Sequence, residues 1–270
     1  MQVAKSKLSI LIPSSFAQEV RDLKIKTYKI GQLARASAVF RVDEIVVYRD
    51  EELDESRFIE LVLKYAETPQ YLRKLLFPRK KELKYAGVLP PLRTPHHPTS
   101  SSGVGEIRPG VVTKVEPDGS AWVELGFERP AYLPDPEGVM EGERVNVRIF
   151  SLAPLVVERI QKDEIPKYWG YTVRVEEDLT STLKKMRKEG MYIIGTSKYG
   201  DSVSMEKLVS LKDRGDLCIV FGSPMKGVLE MVERNMFDAV LNTIPNQGTE
   251  TVRTEEAIFA TLALINVIRE

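Results

Sequence analysis

Two stretches of this chain alternate short apolar strands with amphipathic helices, and the stretch between them has no helical pattern. Such alternation predicts parallel strands joined by crossover helices, so both flanks favour an α/β fold. The predicted strands are KLSILIPSS and EIVVYRD before the interruption, and YTVRV, MYIIGTS, DLCIVFG and FDAVLNT after it. Helices are predicted over 27–40, after Asp54 as a cap, and near 178–188, 225–233 and 254–268.

The interrupting stretch is typical of a small all-β domain. A segment rich in Pro, Gly and Ser (78–110) leads into it. Short alternating strands, separated by Asp-Gly and Glu-Gly turns, then occupy 104–160 without room for a helix. A barrel with an OB-like fold is the first interpretation. We therefore predict an α/β domain made of 1–87 and 164–270, interrupted by an inserted barrel at 88–163.

Charge and cysteine content limit the function classes. Lys and Arg number 39 and Asp and Glu number 39, so the chain has no overall positive field for a polyanion, although a local basic site remains open. Cys218 is the one cysteine, and its apolar surroundings predict a small buried hydrophobe rather than a nucleophile. The chain has only one cysteine and two histidines, His96 and His97, so no metal site is expected. No apolar run is long enough to cross a bilayer, and LSILIP is too short for a signal-peptide core, so we expect a cytoplasmic protein without a membrane partner.

Three consecutive strands of the last third end in loops of small polar residues, IIGTSKYG, IVFGSPMKG and LNTIPNQGTET. In an open parallel sheet, ligands bind beyond the carboxyl ends of the strands. Glycine-rich loops often bind nothing, but three that share one edge favour a ligand site. The chain has neither GxGxxG after a strand nor GxxxxGK[ST]. A nucleotide-like ligand without a phosphate cradle points to S-adenosylmethionine.

Five segments carry a resemblance to known enzymes: GVLPPLRTPHH (87–97), YWGYTVR (168–174), IGTSKYG (194–200), VFGSPMKGVLE (220–230) and NTIPNQGTETVRTEEAI (242–258). They are similar to SPOUT-class RNA methyltransferases, and more narrowly to the archaeal and eukaryotic family with an OB-like insertion. The resemblance implies a mostly parallel sheet with a C-terminal trefoil knot that holds S-adenosylmethionine. It also implies a homodimer with its active site at the subunit interface. The implied substrate is ribosomal RNA, with uridine N3 as the predicted target and ribose 2′-O left open.

By this resemblance, all three loops contact the cofactor. The implied residues are Gly195, Thr196, Phe221, Gly222, Ser223, Ile244, Pro245, Asn246, Gln247, Gly248, Thr249 and Thr251. Arg253 is the candidate catalytic residue, because a guanidinium can orient the substrate and stabilise developing negative charge. A structural salt bridge with Glu255 or Glu256 is the alternative. Thr254 is predicted to be a helix N-cap, with the two glutamates complementing the helix dipole.

Candidate RNA contacts lie in the first half of the chain. Residues 71–84 carry six bases against one acid, and Arg79, Lys80 and Lys81 are candidate substrate-binding residues. A solvated charged face is the alternative. His96 and His97 lie in a Pro-flanked loop where core packing is awkward, so we predict that they contact the substrate. The insertion has ten acids and six bases between 105 and 160, which argues against a nonspecific grip on RNA.

Two functions compete with an S-adenosylmethionine-dependent RNA methyltransferase. A non-catalytic RNA-binding or ribosome-assembly protein could retain the fold, but its pocket should have lost the glycines and small polar residues that are intact in NTIPNQG. A small-molecule methyltransferase would fit the pocket but would leave the insertion and the basic stretch without a role.

Overall fold

The computed structural model describes residues 6–98, 103–136 and 138–269. The chain forms two compact units. The first comprises Met1–Lys64, Glu82–Pro91 and Tyr171–Glu270, and the second comprises Tyr65–Lys81 and Leu92–Gly170. The predicted boundaries of 1–87, 88–163 and 164–270 place 65–81 differently, and they stay a prediction.

The first unit is built on a six-stranded sheet in which every pairing is parallel, in the order β11-β9-β10-β1-β2-β8. Parallel pairing and crossover helices are therefore confirmed. The strands are β1 (Leu8–Pro13), β2 (Glu44–Tyr48), β8 (Thr172–Glu176), β9 (Tyr192–Ser202), β10 (Leu217–Val220) and β11 (Ala239–Asn242). The helices are α1 (Leu23–Val39), α2 (Ser56–Glu67), α4 (Leu179–Lys188), α5 (Met205–Leu211), α6 (Val228–Met231) and α7 (Thr254–Ile268). The last three residues of α2, 65–67, belong to the second unit.

The centre of this sheet is covered on both faces. Every residue of β1, β2 and β10 is buried, as expected for parallel strands that read as unbroken apolar runs. Cys218 lies within β10 with no exposed surface, which confirms that it is a buried hydrophobe. Burial raises the pKa of its thiol well above the ordinary value, so the side chain stays a thiol.

The helix ends show how closely local sequence signals place a boundary. Asp54 Oδ1 accepts the amide of Ser56, the first residue of α2, at 3.0 Å, but Glu55 occupies the N-cap, so the predicted cap lies one residue too early. The prediction that Thr254 caps α7 is wrong by one residue, because Thr254 is already helical and Arg253 occupies the N-cap. Glu256 accepts the Arg253 amide there at 3.0 Å.

The helix predicted near 225–233 is shorter than expected. It is the single turn α6, because Gly227 before it and Val232 after it both have extended backbone angles. The helices predicted at 178–188 and 254–268 are present as α4 and α7 within one residue.

The second unit contains a closed five-stranded barrel in the order β3-β4-β5-β7-β6. Its strands are β3 (Ile107–Val115), β4 (Ala121–Glu124), β5 (Ala131–Leu133), β6 (Arg144–Leu152) and β7 (Leu155–Arg159). All pairings are antiparallel except that of β5 with β7. The short helix α3 (Arg73–Leu76) also belongs to this unit. The described part of 104–160 contains no helix, as predicted, and the barrel is consistent with an OB-like fold.

No helix within the described ranges is both long enough and apolar enough to span a bilayer.

Candidate cofactor and substrate site

Three loops of the first unit meet beyond the carboxyl edge of the sheet. Because β11, β9 and β10 are parallel neighbours, the segments that follow β10 and β11 and the irregular second half of β9 lie on the same side. We call 196–200 the first loop, 221–227 the second loop and 243–253 the third loop. They enclose a cavity of about 280 Å³. Its wall is formed by Thr196, Ser197, Lys198, Tyr199, Phe221, Gly222, Ser223, Pro224, Met225, Lys226, Gly227, Leu229, Glu230, Asn242, Thr243, Ile244, Gln247, Glu250, Thr251, Val252, Thr254 and Ala257.

The structure divides the predicted cofactor residues into two groups. Those that lie on the cavity wall are Thr196, Phe221, Gly222, Ser223, Ile244, Gln247 and Thr251. Those that do not lie on it are Gly195, Pro245, Asn246, Gly248 and Thr249. Gly195 is inside β9, where a Cβ atom would approach the Phe237 ring at 3.0 Å. Its contribution is therefore close packing within the sheet.

Several charged and polar wall residues were missed by the sequence argument. They are Lys198, Tyr199, Lys226, Glu230, Asn242 and Glu250. All of them lie in or beside the three quoted loop sequences, so position along the chain was an available signal. Glycines and small side chains are the residues that a composition pattern singles out in such loops, whereas the longer side chains between them carry no such pattern.

The second loop is held in one conformation by close contacts. The Tyr48 hydroxyl donates to the Phe221 carbonyl at 2.7 Å, and Thr196 Oγ1 donates to the Val220 carbonyl at 2.9 Å. Burial, and then the Asp50 carboxylate, raises the pKa of Tyr48 well above its ordinary value, so the phenol remains a donor. A Cβ atom on Gly222 would lie 2.7 Å from the Lys226 carbonyl oxygen, so this turn requires glycine.

The third loop leaves its main-chain donors open. Gln247 Nε2 donates to the carbonyls of Thr249 and Glu250 at 2.9 and 3.1 Å, which turns those carbonyls toward the loop's own side chain. Asn246 has a positive φ of 56°, as its tight turn requires. Within the described chain, no amide from 246 to 252 donates to a protein acceptor. A bound ligand can therefore accept hydrogen bonds from this loop.

The first loop is an outsized bulge in β9. Gly195 pairs with Val240 and Asp201 pairs with Leu241, so five residues of β9 fall between two consecutive residues of β11. A Cβ atom on Gly200 would lie 2.8 Å from the backbone of both Val240 and Leu241, so glycine permits the chain to rejoin the ladder. Bulges re-aim side chains next to functional sites, and this one brings Thr196 to Tyr199 to the cavity wall.

Some charged side chains around the cavity have hydrogen-bond or ion-pair partners in the protein, and others do not. Lys226 Nζ lies 3.1 Å from Glu52 Oε1, and this hydrogen bond raises the pKa of Lys226 above its ordinary value. Glu230 Oε1 accepts the Gly227 amide at 3.0 Å. Lys198 forms no ion pair with any described residue, and its Nζ lies 5.2 Å from the centre of the Tyr199 ring. Lys198 is therefore a cation of the wall that remains available.

Arg253 is exposed at the start of α7, next to the wall residues Val252 and Thr254 but not on the wall itself. The alternative of a salt bridge with Glu255 or Glu256 is not what the structure contains. Glu255 pairs instead with Lys29 at 3.1 Å, and the Arg253 side chain forms no ion pair in the described chain. Its guanidinium is free to meet a substrate.

The two histidines lie in a polar cluster of the second unit. His96 is completely buried and His97 is partly buried, and the Nε2 atoms of both lie within 3.0 Å of the Glu67 carbonyl oxygen. Arg144 makes two hydrogen bonds to the Glu67 carboxylate, at 2.5 and 3.0 Å, and His96 Nε2 lies 3.0 Å from Glu67 Oε1. The expectation that packing would be awkward here is corrected, because Glu67 supplies partners for both rings.

Glycine at position 170 makes this cluster possible. Gly170 has a φ of +75°, and a Cβ atom there would lie 2.6 Å from both Glu67 Oε1 and His96 Cε1. Burial alone would raise the pKa of Glu67, but the hydrogen bond from His96 and the Arg144 guanidinium hold it down to about 2. The carboxylate is thus charged at any physiological pH, with its charge matched by Arg144.

We predict that His97 makes the second unit less stable in mild acid. Burial, and then the neighbouring His96, lowers the pKa of His97 to about 4, against roughly 6.5 in an unfolded chain. Between these values the unfolded chain binds more protons, so stability is complete above about pH 6.5 and declines by roughly 2–3 kcal/mol as the pH falls to about 4.5. Arg73 and Glu67 are the other charges that face this ring.

Urea unfolding followed by tryptophan fluorescence tests this prediction. Both tryptophans, Trp122 and Trp169, belong to the second unit, so their emission reports that unit specifically. Unfolding free energies at pH 7 and 4.5 should differ much less in His97→Gln, whose amide can still donate to the Glu67 carbonyl. Equal pH dependence in the two proteins would contradict the prediction.

The basic stretch is only partly available to a ligand. Tyr71 donates to the Pro109 carbonyl at 2.7 Å, and Arg73 lies over the Tyr65 ring while it donates to the Thr68 carbonyl. The three predicted RNA contacts, Arg79, Lys80 and Lys81, are exposed and form no ion pair with described residues.

No group of three His, Cys, Asp or Glu side chains within the described ranges could hold a metal ion.

Known proteins resemble this chain over nearly its whole length. A family model described as "Putative RNA methyltransferase" matches residues 7–265. An uncharacterized protein of Haloarcula marismortui is 39% identical over 283 residues, covering 96% of this chain and 98% of its own. The human 28S rRNA (uridine-N(3))-methyltransferase is 32% identical over 298 residues, covering 96% of this chain and 77% of its own. A crystal structure of the SpoU methyltransferase AviRb from Streptomyces viridochromogenes with AdoMet aligns at a TM-score of 0.43 and 10% identity, over 99% of this chain and 59% of its own. With a match from residue 7 to residue 265, the chain belongs to this RNA methyltransferase family.

Proposed function

We propose that this protein transfers a methyl group from S-adenosylmethionine to N3 of a uridine in large-subunit ribosomal RNA. The observation that carries the proposal is the 32% identity, over 96% of the chain, with a human enzyme named for this reaction. The three-loop cavity of the first unit supports it independently, because it supplies a single concave site in a family of methyltransferases. A non-catalytic role is disfavoured, since the polar loops are complete.

The cavity residues fit an adenosine-containing cofactor. Apolar side chains for the adenine ring are provided by Leu229, Ile244 and Val252. The unpaired amides of the third loop can bind the polar edges of the adenine and the ribose hydroxyls. The cofactor, when bound, supplies an electrophilic methyl group on a sulfonium. The protein then has to orient donor and acceptor in line, which is where enzymes of this kind gain most of their rate.

RNA contact is assigned to the exposed cations of 71–84. Arg79, Lys80 and Lys81 are unpaired and can neutralise phosphates, which position an RNA without reading its sequence. His96 and His97 are less suited to this role, because His96 has no exposed surface. Substrate contact by the histidines stays a prediction that would require the loop to rearrange.

Assembly and location follow from the same proposal. A homodimer is supported by apolar side chains that α1 and α7 expose, namely Ile25, Tyr28, Val39 and Val267. A trefoil knot formed by the third loop and a cytoplasmic location both stay predictions.

Calorimetric titration of the purified protein with S-adenosylmethionine tests the proposal. We expect saturable binding near one site per subunit, weakened about tenfold or more by Thr251→Trp, which corresponds to about 1.4 kcal/mol. Thr251 is exposed and lies on the cavity wall, so the added ring would occupy the space of the ligand without disturbing the core. Thr249→Trp is the matched control, because Thr249 is an exposed threonine of the same loop that does not lie on the wall. Absence of binding at millimolar cofactor would overturn the proposal.

A further inference from the structure

We propose that Lys198 and Tyr199 form the acceptor half of the site, where Tyr199 stacks on the target uracil and Lys198 stabilises the negative charge of its deprotonated N3. This inference rests on the proposed function and names the residues that receive the base. It concerns the first loop, whereas the cofactor is assigned mainly to the second and third loops.

The bulge in β9 gives these two residues their position. In an uninterrupted ladder, residues 196–200 would form hydrogen bonds to β11, and their side chains would alternate between the two faces of the sheet. The register shift frees them from that pairing. Asn242 then fixes the bulge from the neighbouring strand, because its Nδ2 donates to the Lys198 carbonyl at 3.1 Å while its Oδ1 accepts the Ile244 amide at 3.0 Å. One side chain thus ties the first loop to the third.

Tyr199 has the properties of a base-stacking platform. Its side chain is 73% exposed although it lies on the cavity wall, and the Lys198 Nζ atom lies 5.2 Å from the centre of its ring. Sequence-specific RNA recognition uses unpaired bases stacked on aromatic side chains. A uridine whose N3 must be methylated has to leave its base pair, because N3 lies on the pairing edge of the ring, and it then needs such a surface.

Lys198 has the charge that the chemistry requires. Methylation at uracil N3 releases the N3 proton to water and joins N3 to the methyl carbon, while the methyl–sulfur bond breaks and its electron pair stays on sulfur. Before the new bond forms, negative charge is spread over N3 and the two carbonyl oxygens. An ammonium group beside the ring lowers the energy of that anion.

The other charged groups of the wall are less suited to this task. Lys226 is held by Glu52 at 3.1 Å, and Glu230 is engaged by the Gly227 amide. Glu250 faces the same cavity but is an anion, so it would oppose the charge on the base. Lys198 therefore remains as the cation of the wall that no described carboxylate neutralises.

The test uses an unmodified large-subunit ribosomal RNA transcript and S-adenosylmethionine with a labelled methyl group. Tyr199→Ala should raise KM for the RNA between about fivefold and a hundredfold, and Tyr199→Phe should restore it, because the ring and not the hydroxyl carries the stacking. Lys198→Met should lower kcat about a hundredfold near neutral pH and shift the pH–rate profile to the alkaline side, with Lys198→Arg retaining most of the rate. Lys184→Met, which removes an exposed lysine of α4 outside the cavity, is the control and should change neither quantity.

A second readout does not depend on turnover. Photocrosslinking of the same transcript containing 5-iodouridine should join the target nucleotide to Tyr199, and mass spectrometry of the digested protein identifies the site. Unchanged KM, kcat and pH profile in the variants of a methylating enzyme would overturn this inference and leave the proposed function standing. A wild-type protein that binds no cofactor and methylates no RNA would overturn the proposed function, while the crosslink would still decide whether Tyr199 receives a uracil.

Discussion

Replacing Glu67 by alanine is expected to cost the second unit about 3–5 kcal/mol of its free energy of unfolding, the range for breaking a buried ion pair from one side. The carboxylate is almost fully buried and is engaged by Arg144 and His96 together. Its removal leaves the Arg144 guanidinium without its counter-charge and takes away one of the acceptors of His96 Nε2. A loss of this size is a large fraction of the roughly 5–15 kcal/mol that stabilises a typical domain.

Tryptophan-monitored urea unfolding at pH 7 measures this loss. Glu158→Ala is a matched control in the same unit, since Glu158 pairs with Arg148 at 2.8 Å on the surface and should contribute only about 0.2–1 kcal/mol. The double variant Glu67→Ala/Arg144→Met should lose less than the two single losses added together, because each partner is costly mainly when left alone. A loss below about 1 kcal/mol for Glu67→Ala would show that the cluster is solvated and of little structural weight.

The second large effect is expected on catalysis. Arg253→Ala should lower the rate of methyl transfer about a hundredfold to a thousandfold, as removal of one well-placed charge-stabilising donor does in other enzymes. The structure supports a substrate role, because the guanidinium is exposed at the N-cap of α7 and is not consumed by Glu255 or Glu256. Cofactor affinity should stay within about twofold, since Arg253 is not on the cavity wall.

Single-turnover methylation combined with calorimetry separates these effects. Arg21→Ala is the control, because Arg21 is another exposed arginine of the first unit that forms no ion pair in the described chain. Arg253→Lys should recover part of the rate, as it keeps the charge but not the planar, five-donor geometry. Full turnover in Arg253→Ala would remove this residue from the mechanism and leave Lys198 as the cation that acts on the acceptor.

Long periodic patterns were the part of the fold that could be predicted from the sequence. The strands and the long helices of both flanks, the absence of a helix from the described part of 104–160, and the burial of Cys218 all follow from hydrophobic spacing, which is a local property. The helix α5 was not predicted. Errors appeared where a single residue decides a boundary. Thr254 proved helical where a cap was predicted, and α6 is one turn where nine residues were predicted.

The sequence predicted where the candidate site lies but not which residues line it. Parallel order required the three loops to share an edge, so their meeting could be argued before any coordinates. The sequence could not show which residues face the cavity, because this depends on the five-residue bulge in β9. It also depends on Gly200, which allows β9 to pair with β11 again after the bulge. A register shift between strands far apart in sequence leaves no periodic signal in either strand.

The histidine pair shows most clearly the difference between what the sequence predicts and what tertiary contacts decide. From the sequence, two adjacent imidazoles between prolines had no visible core partner, and an exposed role followed. The partner is Glu67, some thirty positions earlier, which the folded second unit brings against both rings together with Arg144 and the space left by Gly170. The sequence by itself determined the strands, the long helices and the edge at which the three loops meet, because these depend on neighbours along the chain. Only the tertiary structure decided which polar groups are paired and buried and which are left free to meet a substrate, because that depends on contacts between distant segments.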